Sequence, residues 1–236
     1  TGANGTSVIS DNSGDFSGDD VIFQSLALSN VSNNPIVNAN ETFDSITVDS
    51  GCTLTGNDSY SITCDGVGTG ASSSYAVNIN GALGTYVNLI ITTADTTSIN
   101  PNQTSGTIHD ITYNASGRTL QLADNLTLAG DLTITAGTFT TTGSDHALTV
   151  AGVTDVAGTL TLNGSTCSFG SGITSDYGLK ATGTSATITS DADASVTMGS
   201  LYAADNAGNN VALAGTNTIN SFKTSTANIV RLTNNT

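Results

Sequence analysis

The sequence predicts an all-β protein, a parallel β-helix or β-solenoid with coils of about 21–22 residues. Three observations predict this class: a composition that disfavours helices, apolar residues at every second position, and short motifs that recur at a constant spacing. Thr, Ser, Gly and Asn, present in 41, 28, 26 and 24 copies, make up half of the 236 residues, whereas Glu occurs once. Because these four residue types form helices poorly, the composition argues against an all-helical or coenzyme-binding α/β protein.

Apolar residues occupy alternate positions along short segments that end near a glycine. This period of two predicts strands with one buried side and one solvent-facing side. We therefore expect eight side chains to face the interior: Leu126, Leu128, Leu132, Ile134, Leu148, Val150, Leu160 and Leu162. Five glycines follow these strands, and we expect them to turn the chain through positive φ: Gly130, Gly137, Gly152, Gly158 and Gly164.

Two families of motifs supply the period. The sequence LTLAG at 126–130 recurs one period later as LTVAG at 148–152, and three further periods along as VALAG at 211–215. A second motif has copies at 42–48, 85–91 and 107–113. Its spacing fits the same period if one copy near Cys64 has degenerated. Coils of this kind stack as parallel strands, and about eleven of them would fit in the chain.

The repeat divides the chain into two parts. We assign residues 41–236 to solenoid repeats and residues 1–40, which lack the repeat, to a divergent N-terminal coil or cap. A β-sandwich is the alternative architecture, because short strands separated by turn signals also describe that fold. Asn-Gly and Asp-Gly pairs, which suit two-residue hairpins, occur at 4–5, 65–66, 80–81 and 163–164.

One segment carries a resemblance to a known class of repeats. Residues 111–138 read ITYNASGRTLQLADNLTLAGDLTITAGT. This run resembles the repeats of right-handed parallel β-helix regions in phage tail fibres and tailspikes, autotransporter or haemagglutinin-type adhesins, and other giant microbial surface proteins. The likeness covers about residues 40–165. It implies a right-handed solenoid that serves as a stiff extracellular element, and it carries over no catalytic residue.

The charge balance is strongly acidic, with 4 Lys and Arg against 19 Asp and Glu and a net charge of −15. Because affinity for nucleic acid grows with the number of cationic contacts, we expect no nucleic-acid partner. The basic residues Arg118, Lys180, Lys223 and Arg231 are widely separated in the sequence, which argues against lyase chemistry on acidic sugars. No apolar run approaches the roughly 18 residues that span a bilayer, so we expect no membrane insertion.

An acidic stretch near the amino end is the candidate metal site, with Asp11, Asp15 and Asp19 as ligands of a calcium ion. Hard cations bind several carboxylate and carbonyl oxygens from a flexible loop that contains glycine. The stretch departs from the EF-hand pattern at Phe16 and Ile22, where that pattern needs Gly and Glu. A solvated turn is therefore the alternative, and apart from calcium we expect no cofactor.

The sequence predicts no enzyme. His109 and His146 are too far apart in the sequence for a metal-ligand spacing, and we interpret both as surface or turn residues. No Gly-x-Ser-x-Gly elbow is present, so a hydrolase nucleophile has no support.

The three cysteines leave two alternatives open. Cys52 and Cys64 are close enough in sequence to form a disulfide in an oxidising compartment. Otherwise these two residues and Cys167 are small buried thiols.

The predicted function is a non-catalytic structural or adhesive component of an extracellular fibre or filament, on a cell surface or virion. The stretch 222–232 still alternates and has no helical cap. We therefore expect a segment of a longer fibre, or assembly through strand edges with copies of itself or adjacent fibre and surface proteins. The alternative is a glycan-binding or glycan-cleaving phage tailspike-type protein whose partner is a cell-surface glycan. Its aromatic platforms would be Tyr60, Tyr75, Tyr86 and Tyr113.

Overall fold

A computed structural model describes most of the chain as parallel β-structure. The residues it describes are 8–9, 20–23, 36–67, 75–102, 105–141, 144–170, 178–204, 208–224 and 229–233. Within these ranges every regular element is a strand and none is a helix. The strand pairs in these ranges run parallel, which confirms the solenoid and excludes a sandwich built from antiparallel hairpins.

The chain forms two compact units, Thr1–Ile111 and Thr112–Thr236. Together they contain about eight solenoid turns, fewer than the eleven predicted. Three coils are longer than the expected period, because the paired residues Asp20 and Ser45, and likewise Ile62 and Leu89, lie more than one period apart in sequence. The same holds for the paired residues Thr154 and Leu179.

The register of the early repeats also differs from the sequence alignment. Glu41 pairs with Ile62, one period later, so a full coil stands where the degenerate copy was expected. The second motif aligns Ile46 with Leu89 two coils later, whereas Ile46 pairs with Val77 and Val77 with Ile99. The extra residues of the longer coil shift the motif without disturbing the parallel pairing.

The first unit stacks its strands in three parallel columns. The first column holds β4, β7 and β10, the second holds β2, β5, β8 and β11, and the third holds the pairs β1–β3 and β6–β9. The strand bounds are β1 Val8–Ile9, β2 Asp20–Phe23, β3 Ile36–Val37, β4 Glu41–Phe43, β5 Ser45–Val48, β6 Thr53–Leu54, β7 Ile62–Cys64, β8 Tyr75–Ile79, β9 Ala82–Leu83, β10 Leu89–Ile91 and β11 Thr97–Asn100.

The second unit has three parallel faces, named here A, B and C in chain order. Its strands are β12 Ile111–Leu122, which starts at the last residue of the first unit, β13 Leu126–Leu128, β14 Leu132–Thr140, β15 Leu148–Val150, β16 Thr154–Val156, β17 Thr159–Thr161, β18 Thr166–Phe169, β19 Leu179–Ala181, β20 Thr187–Thr189, β21 Ser195–Ala203, β22 Asn210–Ala214, β23 Thr216–Thr224 and β24 Ile229–Thr233. Long strands such as β14 and β21 bend at a corner and so contribute to two faces.

The order of the strands on each face follows from the pairing. Face A runs from β14 through β16, β19 and β21 to β23. Face B runs from β14 through β17, β20 and β22 to β24. Face C runs from β13 through β15, β18 and β21 to β23.

The interior is built from columns of apolar side chains that repeat once per turn. On face C, Leu148 lies between Leu126 of the preceding turn and Cys167 of the following turn. All eight side chains predicted to face inward are no more than 1% exposed, which confirms the predicted alternation. Burying such columns supplies the main stabilisation of each turn, at roughly 25 cal/mol per Å² of apolar surface.

The glycine prediction is confirmed at one position and wrong at the others. Only Gly137 of the five has positive φ, at 87°. Gly158 serves a different purpose, because a Cβ placed on it would lie 2.6 Å from the carbonyl oxygen of Gly137 in the preceding turn. Close approach between adjacent turns, and not a left-handed backbone, is what requires glycine at that corner.

The three cysteines are free and buried, so the Cys52–Cys64 disulfide is not formed. Burial raises the pKa of the Cys64 thiol to about 12, and it raises the pKa of Cys167 to the same value. Thiols in this state behave as small apolar side chains.

Candidate functional site

Face A of the second unit carries a row of charged and aromatic side chains, one from each of four successive strands. The row consists of Asp155 on β16, Lys180 on β19, Tyr202 on β21 and Lys223 on β23, and these residues pair directly with one another in register. We call it the face-A row. Its members project outward because strand neighbours alternate sides. On β19, for example, Leu179 and Ala181 on either side of Lys180 are fully buried.

The row places two cations on either side of an aromatic ring. Adjacent strands in a sheet lie about 4.8 Å apart, so the backbones at Lys180 and Lys223 are separated by roughly 10 Å with Tyr202 between them. The Lys223 ammonium lies 5.7 Å from the centroid of the Tyr202 ring, within the range of a cation–π contact.

The other end of the row is an ion pair. Lys180 Nζ lies 3.5 Å from Asp155 Oδ2, and both side chains are partly exposed. The Thr182 hydroxyl donates a hydrogen bond to Asp155 Oδ1, which holds the carboxylate from its other side. Solvent screening limits a pair of this kind to about 0–1 kcal/mol of stabilisation. An anionic ligand could therefore compete with Asp155 for the lysine at little cost in stability.

The face-A row was not predicted from the sequence. The basic residues were compared by their separation along the chain, where Lys180 and Lys223 lie far apart. The interval from Lys180 to Tyr202 is one coil, and the interval from Tyr202 to Lys223 is one coil more. The same period that predicted the strands would have placed these three residues on one face.

Of the four tyrosines that the sequence offers as platforms for sugar rings, one lies in the interior and three are at least partly exposed. Tyr113 is fully buried, its hydroxyl has no hydrogen-bond partner, and burial raises its pKa to about 12. It belongs to the interior, so the expectation of a sugar-binding ring there is wrong. Tyr86 is 45% exposed, and its ring lies against His109 with the centroids 5.0 Å apart. Tyr60 and Tyr75 are partly exposed.

The two histidines lie partly exposed. His109 Nδ1 is 3.1 Å from Asp110 Oδ2, an ion-pair distance without the alignment of a hydrogen bond. A nearby carboxylate and a neighbouring ring orient this imidazole. Within the described ranges, neither His109 nor His146 joins a metal-binding group.

The calcium hypothesis lies outside the described residues, since Asp11, Asp15 and Asp19 all fall there. It stays a prediction. Elsewhere, in the part of the chain that the structure describes, no three His, Cys, Asp or Glu side chains are grouped to hold a metal ion. The same part contains no helix long and apolar enough to cross a membrane.

The stacked parallel strands define the class: this is a parallel β-solenoid protein. No protein-family model, curated protein or solved structure matches the chain.

Proposed function

We propose that this solenoid is a non-catalytic structural or adhesive component of an extracellular fibre or filament, on a cell surface or virion, that assembles through strand edges. The observation that carries the proposal is the edge of the second unit formed by β23 and β24. Among the described residues these strands pair only with β21 and β22, so each has one edge without a described partner.

Side chains at this edge favour association. Phe222 and Leu232 are 48% and 46% exposed, which makes them two of the four large apolar side chains exposed in the described chain. An edge strand presents unpaired N–H and C=O groups that another strand can use, and apolar neighbours add to the gain on pairing. We expect the partner to be a second copy of this chain or an adjacent fibre or surface protein.

Sedimentation velocity over a range of concentrations tests assembly through this edge. We expect wild-type protein to associate, and we expect Phe222→Lys combined with Leu232→Lys to weaken association by about tenfold or more, because like charges would face each other at the edge. The matched control is Ile36→Lys combined with Tyr86→Lys, which places the same two charges at exposed apolar residues of the first unit. A wild-type protein that stays monomeric at high concentration, with slow amide exchange throughout β23 and β24, would refute the proposal.

The non-catalytic part of the proposal has its own test. An array of polysaccharides is incubated with the protein, and reducing ends are measured over time. We expect no release of reducing sugar. Turnover on any glycan would replace this proposal with the glycan-cleaving alternative.

A further inference from the structure

We propose that the face-A row is a binding site for an acidic polysaccharide, with the ammonium groups of Lys180 and Lys223 on carboxylates of uronate sugars and Tyr202 against a sugar ring. This goes beyond assembly through strand edges and names a ligand class for a surface of the second unit.

Charge is the first argument. The protein carries a net charge of −15 and only four basic residues, yet two of the four stand on alternate strands of one face. The ammonium of Lys180 is held by a partly exposed ion pair, and that of Lys223 lies over an aromatic ring. Both arrangements leave the positive charge near solvent, where a carboxylate can reach it.

The chemistry between the two cations is the second argument. Tyr202 is partly exposed and lies between Lys180 and Lys223 in the register of the face. A tyrosine ring offers an apolar surface for the C–H face of a sugar and a hydroxyl for a hydrogen bond. A uronate polymer supplies that face together with carboxylates, so its two chemical features match the two kinds of side chain in the row.

The surroundings of the row argue against a polynucleotide as its ligand. Affinity for a polynucleotide depends on neutralising many phosphates, and two lysines in a strongly acidic protein neutralise few. Asp155 stands at one end of the row and repels any anion that extends past Lys180. Carboxylates carried on sugar rings suit this site better than a phosphate backbone, because each ring also offers an apolar face to Tyr202.

Substitution of Asp155 tests the proposal, because the proposal predicts that affinity rises and does not fall. The carboxylate competes with the ligand for Lys180 and repels it at the same time. Asp155→Asn removes the charge and keeps an oxygen that can accept the hydrogen bond of Thr182. We therefore expect this variant to bind polyuronate more tightly, by about threefold to tenfold, because it removes both the competition for Lys180 and the repulsion of the ligand. A purely structural ion pair would leave polyuronate affinity unchanged.

The experiment measures binding of polygalacturonate to the full chain by isothermal titration calorimetry, with dextran as the neutral polysaccharide. We expect Lys180→Gln and Lys223→Gln each to weaken binding by about fivefold or more, and Tyr202→Ala to weaken it similarly. The matched control is Arg231→Gln, which removes one exposed charge on face B, outside the row. It should change affinity by less than about twofold.

Three results would overturn the proposal: no binding of polygalacturonate, an equal loss with Arg231→Gln, or tighter binding of a single-stranded polynucleotide. Thermal unfolding of each variant shows whether it is folded.

Sedimentation without glycan separates the two proposals, because Lys180 lies two strands from the β23 edge and Lys180→Gln should assemble like wild type. Lost glycan binding with intact assembly would support the site, and intact binding in Lys180→Gln would refute it whatever the assembly shows.

Discussion

Thr141 shows how single polar residues close the corners of the second unit. Its hydroxyl is fully buried and donates to the carbonyl oxygen of Leu162 at 2.7 Å. The hydroxyl oxygen of Thr141 in turn accepts from the Ser165 hydroxyl at 2.7 Å and from Asn163 Nδ2 at 3.1 Å. Buried polar groups need such partners, because an unpaired one costs about 1–3 kcal/mol. At this corner, polar side chains therefore replace the regular backbone ladder.

Asn209 performs the same task for three backbone groups. It is buried, its Oδ1 accepts from the amide of Ala186 at 3.0 Å, and its Nδ2 lies 3.3 Å and 3.4 Å from the carbonyl oxygens of Ala181 and Ala204. A short amide side chain that both donates and accepts fits a corner where donors and acceptors meet. Asp would lose the donor, so the residue type is specific to this position.

A prediction at the residue scale concerns Leu148, which is fully buried between Leu126 and Cys167. Replacing it with alanine should lower the free energy of unfolding by about 2–5 kcal/mol, through lost burial and the cavity left behind. The control is Thr149→Ala, because Thr149 is the next residue on β15 and faces solvent. Urea denaturation of the two variants measures both effects.

The pair of variants also tests the strand register. A shift by one residue would turn every side chain of β15 to the opposite side. If Thr149→Ala destabilised the protein strongly and Leu148→Ala did not, the assignment of the interior would be wrong.

At the scale of elements, corners between strands carry hydrogen bonds from one turn to the next. Asp131, just before β14, accepts the amide of Val153, just before β16, at 2.7 Å. Asn125, before β13, accepts the amide of Ala147, before β15, at 2.8 Å. The two partners of each bond are one coil apart in sequence. Side-chain oxygens thus continue the inter-turn pairing at places where the strands themselves end.

Substitution of Asp131 tests this contribution. Asp131→Ala removes the acceptor and should cost about 0.5–1.5 kcal/mol, the net value of one hydrogen bond. It should also speed amide exchange at Val153, which hydrogen-exchange NMR measures at that residue. Asp131→Asn keeps the oxygen and is the matched control. Equal exchange at Val153 in the alanine and asparagine variants would contradict the role assigned to this side chain.

The elements also show which parts of the fold the sequence could predict. From Leu126 to Leu162 the coils keep the predicted period, so alternation and period together identified eight inward residues correctly. Phe139 and Val156 are also fully buried in this stretch and were not among the eight. The longer coils were missed because extra residues between strands change the spacing while the pairing of the strands persists. The face-A row was missed for a related reason, since contacts across a solenoid depend on position within the coil and not on distance along the chain.

At the scale of the whole molecule, two opposite electrostatic effects follow from one composition. Every copy carries a net charge of −15, so two copies that approach each other repel. The face-A row attracts carboxylates locally through Lys180 and Lys223, although the protein as a whole repels them. Salt screens both effects, with a Debye length of about 30 Å at 0.01 M and about 8 Å at 0.15 M.

Raising the salt concentration should therefore change the two proposed activities in opposite directions. Self-association through β23 and β24 should strengthen between about 0.01 M and 0.15 M salt, because screening reduces the repulsion between copies while the apolar contacts of Phe222 and Leu232 persist. Binding of polygalacturonate should weaken over the same range by about threefold or more, because exposed lysine–carboxylate attractions are screened. Sedimentation and calorimetry on the same preparations measure the two trends. Assembly that weakens with salt would indicate an edge held by charge, and glycan binding indifferent to salt would show that the lysines do not contact carboxylates.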